Sequence, residues 1–321
     1  MEYRHLGKSG LKVSQLSFGS WVTFGKQLEL KDATDALSTA REYGVNFFDN
    51  AEVYAQGKSE EIMGLALKKL NWPRISYLVS TKFFWGISQD INGTNTLNRK
   101  YLMQAITGSL KRLDMDYVDL VYCHRPDPQT PMEETVWAMH DMIEKGYALY
   151  WGTSEWSAIE IKSAHAIAEK YHLRKPIVEQ PQYNLFCRKR VEVEYKDLYE
   201  KEGLGLTIWS PLASGVLTGK YLEAVPEGSR LTMKSMSWLA DEYQGPDKKK
   251  QVENFVKIAK DLSVTPAALA LAWCSKNPRV SSVITGASSL GQIHDNMKAL
   301  EILPKLSGDV MSKLDQLFPV K

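Results

Sequence analysis

Apolar positions along this chain fall into short runs, separated by stretches in which they recur every three or four residues. Residues 3–13 hold Gly7 and Gly10 between short apolar patches, the pattern of a hairpin. Residues 16–20 read as a strand that empties into an aromatic loop, Trp21-Val22-Thr23-Phe24-Gly25. Ala33, Ala36, Leu37 and Ala40 have helical spacing and predict a helix over 32–43, stopped by Gly44. A buried strand over 45–48 follows. A second helix opens at Ser59, with Glu60 and Glu61 placed to favour its dipole and Ile62, Leu65, Ala66 and Leu70 as its apolar stripe.

The unit then repeats. Strands are predicted over 77–81, ending at Lys82, and over 117–122, ending at Cys123-His124. Further strands fall over 147–151, 177–180, 204–209 and 280–285. Helices are predicted over 101–113, 132–145, 157–171 and 191–201, then over 248–262, 266–274, 289–300 and 307–317. An irregular excursion over 212–246 follows the seventh strand. Such alternation implies βαβ crossovers and a parallel sheet. Eight units in a chain of 321 residues predict an α/β fold, a (β/α)8 TIM barrel spanning 1–321 as one domain. The competitor is an open doubly wound sheet, which usually carries G-x-G-x-x-G after its first strand. Neither Phe18-Gly19-Ser20 nor Gly286-Ala287-Ser288 supplies one.

Composition adds exclusions. With 44% hydrophobic and 24% charged residues and a formal net charge of +2, there is no basic footprint for nucleic acid or an anionic membrane surface. Cys123, Cys187 and Cys274 have no C-x-x-C spacing, which argues against a zinc site or disulfide framework and suits a reducing compartment. The first residues lack the apolar core of a signal peptide, and no run approaches a membrane span. A soluble, cytoplasmic protein is expected.

In a barrel all strand C-termini face one rim, so the residues there converge. The rim then holds Ser20, Trp21, Asp49, Tyr54, Lys82, His124, Ser154, Gln180, Trp209, Ser210, Gly286 and Ser288. Taken singly, each has a bland reading: an Asp after a strand is more often a cap or turn residue, and Tyr54 alone is a rim aromatic. Lys82, however, ends an apolar strand where an ammonium is costly to bury without an acid. No elbow serine or activated cysteine accompanies the set, and no His/carboxylate cluster has metal spacing. The four residues Asp49, Tyr54, Lys82 and His124 instead compose an acidified phenol. An ammonium beside Tyr54 should pull its pKa down from about 10, an acid should hold the ammonium, and the imidazole can bond a substrate oxygen. Such a set protonates an alkoxide forming from a carbonyl, which requires a hydride donor.

Several longer motifs carry a resemblance: Gly19 to Gly25, Asp49-Asn50-Ala51-Glu52-Val53-Tyr54, His124-Arg125-Pro126-Asp127, Tyr150-Trp151-Gly152-Thr153-Ser154 and Trp209-Ser210-Pro211-Leu212-Ala213-Ser214-Gly215. They resemble the aldo-keto reductase superfamily, closest to the branch containing the β subunits of Shaker-type voltage-gated potassium channels, plant subunits included. The resemblance implies a barrel reductase using NADPH/NADP+, with catalytic Asp49, Tyr54, Lys82 and His124. It implies that Ser154 and Gln180 hold the nicotinamide carboxamide and that Trp209 lies against the ring. Ser210, Pro211, Leu212, Ser214 and Lys220 would line the pyrophosphate. Arg230, Ser288, Gln292, Asp295 and Asn296 would reach the adenosine end, and Ser20, Trp21 and Gln27 would border cofactor or substrate. Gly286-Ala287-Ser288-Ser289 precedes a helix, where backbone N–H groups suit a phosphate. The 212–246 excursion, with Lys220 and Arg230, could fold over an anionic cofactor.

Animal channel subunits carry Asn at the His124 position, and the retained His favours carbonyl reduction. Glu155 departs from the Arg or Asn of relatives, and a carboxylate cannot be a phosphate-side donor. Two readings follow. The first is a reductase of aldehydes or ketones, with Trp21, Phe84, Trp85 and Tyr122 joining Tyr54 and His124 around a small carbonyl substrate. The second is a binding subunit, a homo-oligomer (a tetramer by the resemblance) docked on a potassium-channel α subunit, where nucleotide reports redox state.

Overall fold

The computed structural model describes residues 1–226, 229–232 and 245–320. Strands β1 (Tyr3–His5) and β2 (Lys12–Ser14) pair antiparallel with Tyr3 opposite Ser14, forming the expected hairpin. Gly7 takes φ +59 in its turn, and a Cβ there would lie 2.2 Å from the Gly203 carbonyl oxygen. The hairpin is pressed that closely against the bottom of the molecule.

Eight parallel strands close a barrel: β3 (Leu16–Gly19), β4 (Phe47–Asp49), β5 (Leu78–Phe83), β6 (Val118–Cys123), β7 (Ala148–Thr153), β8 (Val178–Glu179), β9 (Gly205–Ile208) and β10 (Val280–Thr285), with β10 returning to β3. Strand β4 begins later than its apolar run because Asn46 exchanges hydrogen bonds with Ser14 of the hairpin, at 2.7 and 3.1 Å. Two apolar clusters result. A small one fills the barrel interior, where Leu6 and Val13 of the hairpin meet Phe47, Leu78, Leu120, Tyr122 and Val178. The large one lies between the outer barrel surface and the helices.

Those helices are α1 (Leu30–Glu42), α2 (Lys58–Leu70), α3 (Arg99–Leu113), α4 (Met132–Glu144), α5 (Ala158–Lys170), α6 (Lys196–Lys201), α7 (Pro246–Asp261), α8 (Pro266–Lys276), α9 (Leu290–Met297), α10 (Ala299–Ile302) and α11 (Gly308–Leu317). Side-chain caps set several starts: Asn98 accepts from Tyr101 N, and Ser157 forms a reciprocal capping box with Glu160. Three expectations are corrected. The helix over 191–201 is a wide turn, Arg190–Glu194, followed by the short α6. The helix over 289–300 divides into α9 and α10. Leu65 is not core but half exposed, because Met63 and Leu67 set the buried face of α2 together with Ile62 and Ala66. Most of the excursion after β9 lies outside the described residues. Its described parts include the turns Ala213–Thr218 and Arg230–Thr232.

Candidate active site

Strands β4, β5 and β6 bring three of the four expected residues to one rim, and the loop after β4 adds the fourth. Lys82 is fully buried, and its Nζ donates to Asp49 Oδ2 at 2.6 Å, the Asn50 carbonyl at 2.7 Å and Tyr54 Oη at 3.2 Å. An ammonium has three N–H donors, so all are used. Asp49 is held in turn by Ser80 Oγ at 2.7 Å and Gln180 Nε2 at 3.1 Å, both on Oδ1. The Tyr54 and His124 ring centroids are 5.8 Å apart, and Trp85 meets the imidazole edge to face at 4.5 Å.

The loop that presents Tyr54 is strained: Ala55, Gln56 and Gly57 take φ of 49, 54 and 86. Non-glycine residues in that region cost on the order of 1–3 kcal/mol each, so something must hold them. A buried polar cluster lies behind the loop. Glu60 accepts from Thr81 Oγ1 at 2.5 Å and from Arg112 Nε at 2.7 Å, while Glu52 accepts from Tyr101 Oη and lies 3.9 Å from Arg112. Gly57 touches the same guanidinium arm, since a Cβ there would meet Arg112 Cδ at 2.8 Å. Asn50 reaches Ser59 through its amide. The residues between Asp49 and Tyr54 thus anchor the loop, a role that spacing alone does not reveal.

Electrostatics corrects one expectation. The Tyr54 phenol is held well above its ordinary range, first by burial and then by the Asp49 carboxylate, with Arg125 opposing. It is a neutral phenol with a proton to give, not an acidified one. Burial also pulls Lys82 below its usual value, and Asp49 opposes that shift. His124 is pushed well below the usual imidazole range by burial and by the cations Lys82 and Arg125. Its Nδ1 is buried without a hydrogen-bond partner among the described residues.

A cavity of about 680 Å³ opens above this group. Trp21, Gln27, Asp49, Tyr54, Trp85 and His124 line one part of it. Ser154, Gln180, Trp209, Ser210, Pro211 and Leu212 line the next, and Ser214, Lys220, Gly286, Ser288, Gln292, Asp295 and Asn296 the far part. Ser154 Oγ donates to the Gln180 carbonyl at 2.9 Å, which leaves its lone pairs for another donor. Trp21 meets Trp209 edge to face at 5.8 Å.

Four of the expected residues with described side chains, Ser20, Lys82, Phe84 and Tyr122, are not among those lining the cavity. Ser20 is fully buried and its hydroxyl donates to the Asp49 backbone carbonyl at 3.2 Å. Tyr122 lies one layer below His124 inside the barrel, bonded to Thr207 Oγ1 at 3.0 Å, because residues i and i+2 of a strand share a face at different depths. Phe84 alternates outward and packs on the large core cluster, while Trp85 takes the rim. The Arg230 side chain lies outside the described residues.

Two charged residues near the site escaped the expected set, Arg125 on the cavity wall and Glu155 away from it. Arg125 follows His124 and borders the cavity. Glu155 has a structural answer: its carboxylate accepts from Trp209 Nε1 at 2.9 Å, from Gln182 N at 2.5 Å and from Arg190. It fixes the Trp209 indole from below. The rule that a buried indole N–H needs an acceptor could have flagged it, but only with the partner known.

A dinucleotide fits the far part of the cavity on its chemistry. Ala213, Ser214 and Gly215 take φ of 47, 56 and 95, a left-handed run of the kind that turns backbone N–H groups into an anion-binding concavity. Ser214 Oγ and Ser229 Oγ belong to residues lining the cavity and are buried without partners among the described residues. Lys220 lies against Gly215, and α9 starts at the rim, capped by Ser289. Among the described residues no group of His, Cys, Asp and Glu could hold a metal ion.

Comparison with known proteins agrees with the barrel fold. A profile of the aldo/keto reductase family matches residues 15–318. A probable voltage-gated potassium channel subunit beta of Arabidopsis thaliana is 54% identical over 324 residues, covering 100% of this chain and 98% of that protein. One from Oryza sativa subsp. japonica is 54% identical over 322 residues, with the same coverage of each. A putative voltage-gated potassium channel subunit beta of Schizosaccharomyces pombe is 46% identical over 319 residues, covering 98% of this chain and 92% of that one. The chain belongs to the aldo/keto reductase family.

Proposed function

We propose that this protein reduces aldehydes and ketones to alcohols with NADPH, Tyr54 giving the proton. The observation that carries the reading is how Lys82 spends its donors. The ammonium donates to Tyr54 Oη, so the phenol oxygen accepts there and its own O–H remains for a second acceptor at the cavity. A carbonyl oxygen beside Tyr54 and His124 would take that place. NADPH, when bound, supplies the hydride to the carbonyl carbon. As the oxygen gains charge it takes the Tyr54 proton, and the nearby ammonium stabilises the phenolate left behind. Asp49 keeps Lys82 placed and paired. His124, held neutral, offers one N–H and one lone pair to orient the carbonyl. Ser154 and Gln180 would hold the carboxamide, with Trp209 against the ring.

The test is NADPH oxidation with a panel of aldehydes, beside Tyr54→Phe. Turnover should fall about 10²–10⁴-fold in the variant, the usual worth of a positioned acid, while NADPH binding persists. Full turnover in the variant overturns the acid assignment, and NADPH binding with no aldehyde reduced overturns the reductase reading. Equal affinity for NADH and NADPH would sink the assignment of Ser288, Gln292 and Arg230 to a 2′-phosphate.

A second reading rests on the names of the three relatives above, each a probable or putative voltage-gated potassium channel subunit beta. On it, the chain is a cytoplasmic homo-oligomer, a single barrel domain per subunit, bound to a potassium-channel α subunit. No helix among the described residues is long and apolar enough to cross a membrane, so any membrane association would run through the partner. Light scattering that finds a monomer, or no co-purification with a channel cytoplasmic domain, would remove it. The two functions are compatible.

A further inference from the structure

Arg125 is a cation beside the reacting end of the cavity that the proposed chemistry leaves unused. Its guanidinium lies 4.8 Å over the Trp85 ring, and Trp85 in turn packs on His124. Only Nη1 has hydrogen-bond partners among the described residues: the carbonyl of His124, and Ser154 Oγ at a long 3.5 Å. Three other shielded arginines carry a carboxylate, whereas Arg41, half-buried over Trp72, bonds the Ser76 carbonyl and forms no ion pair among the described residues. Arg74 meets Asp119 at 2.6 Å, Arg112 meets Glu60 at 2.7 Å, and Arg188 meets Glu192 and Asp315 at 2.9 and 2.8 Å. Arg125 forms no ion pair among the described residues, although Glu155 stands near enough to act on it, because Glu155 is taken by Arg190 and Trp209.

A guanidinium is a planar fork of five N–H donors matched to a carboxylate or phosphate, and it is costly to shield unless an anion answers it. Arg125, unlike Arg41, lines the cavity, so an anion entering there would answer it. It is not the pyrophosphate: the groups suited to that, Ser210, Ser214 and Lys220, belong to the segment after β9. Arg125 instead follows β6 and touches Trp85 and Ser154, beside His124.

We propose that Arg125 selects carbonyl substrates bearing an anionic group, a carboxylate or phosphate a few bonds from the reacting carbon, and that Trp85 holds the guanidinium in place for it. The inference rests on the reductase reading, and it adds the substrate class. The anion meets the free edge of Arg125 while the carbonyl oxygen meets Tyr54.

The experiment uses the full chain with NADPH. It compares succinate semialdehyde with butanal, and glycolaldehyde phosphate with glycolaldehyde, in the parent, Arg125→Gln and Arg125→Lys. The parent should prefer at least one anionic member over its neutral partner in kcat/KM. Arg125→Gln should reduce that ratio about ten- to hundredfold, the range expected for a lost charge-assisted hydrogen bond, and Arg125→Lys should keep part of it. Which pair shows the preference separates carboxylate from phosphate. An unchanged ratio in Arg125→Gln overturns the proposal. So does a fall in NADPH affinity with equal loss on both members of a pair, which would make Arg125 a cofactor residue. If no aldehyde is turned over, the reductase reading fails by itself. Calorimetric binding of butyrate against butyramide to the NADPH-loaded protein then decides Arg125 alone: butyrate preferred by the parent and not by Arg125→Gln supports it, and no preference overturns it.

Discussion

Replacing Glu52 by Gln tests the buried cluster that holds the Tyr54 loop. One guanidinium, Arg112, faces two carboxyl groups, and Glu60 takes it at 2.7 Å while Glu52 stands at 3.9 Å. Burial and the neighbouring Glu60 push Glu52 from the ordinary 4.5 up to about 8, with Arg112 and a backbone hydrogen bond from Gly86 opposing. The folded protein thus keeps a proton on Glu52 at neutral pH that the unfolded chain releases. For an acid whose folded value is raised, stability is fully present below the unfolded value and is lost as pH climbs through the folded one. The window is therefore pH 4.5 to about 8. A displacement of about 3.5 units at about 1.36 kcal/mol each sets an upper limit of about 5 kcal/mol for this one group. Glutamine mimics the protonated acid and cannot ionise, so the variant escapes the loss. Glu179, also raised to about 8 by burial, acts in the same direction in both proteins and leaves the variant with part of the slope. Urea unfolding followed by circular dichroism at steps from pH 5 to 9 measures both curves. The variant should gain on the parent by roughly 3–5 kcal/mol across the window. A stability difference that stays constant with pH would refute the buried proton.

Two further outcomes follow from packing. Glu155→Ala strips the acceptor from Trp209 Nε1 and Gln182 N and the carboxylate from Arg190, and its side chain is 20% exposed. Stability should fall by about 1–2 kcal/mol, at the lower end for unpaired polar groups, and NADPH should bind roughly tenfold more weakly by fluorescence titration. Unchanged NADPH affinity would show that Trp209 does not depend on this anchor. Gly64→Ala places a Cβ 2.3 Å from the Leu113 carbonyl oxygen at the contact of α2 with α3. Backbone cannot yield as a side-chain tip can, so thermal unfolding should register a loss of about 1–3 kcal/mol or more; an unaltered melting temperature would mean that the helices separate freely.

The barrel and its rim were legible because both depend on periodicities carried within the chain. Buried parallel strands appear as apolar runs, helices repeat at three and four residues, and parallel order sends every strand end to one side. Lys82 announced an acid because an ammonium in an apolar strand needs one, and Asp49 sits at 2.6 Å. What no local pattern carries is depth, partnership and solvation. Tyr122 and His124 share a strand face, yet only one reaches the cavity, because the barrel stacks its interior in layers. The proximity of Lys82 to Tyr54 predicted a lowered phenol value, whereas burial and Asp49 set it high; desolvation exists only once surrounding chain is in place. Glu155 and Arg125 look alike in sequence, charged residues after rim residues. The fold gave the first to Trp209 and Arg190 and left the second without an ion-pair partner among the described residues, since pairing is decided by where distant strands close.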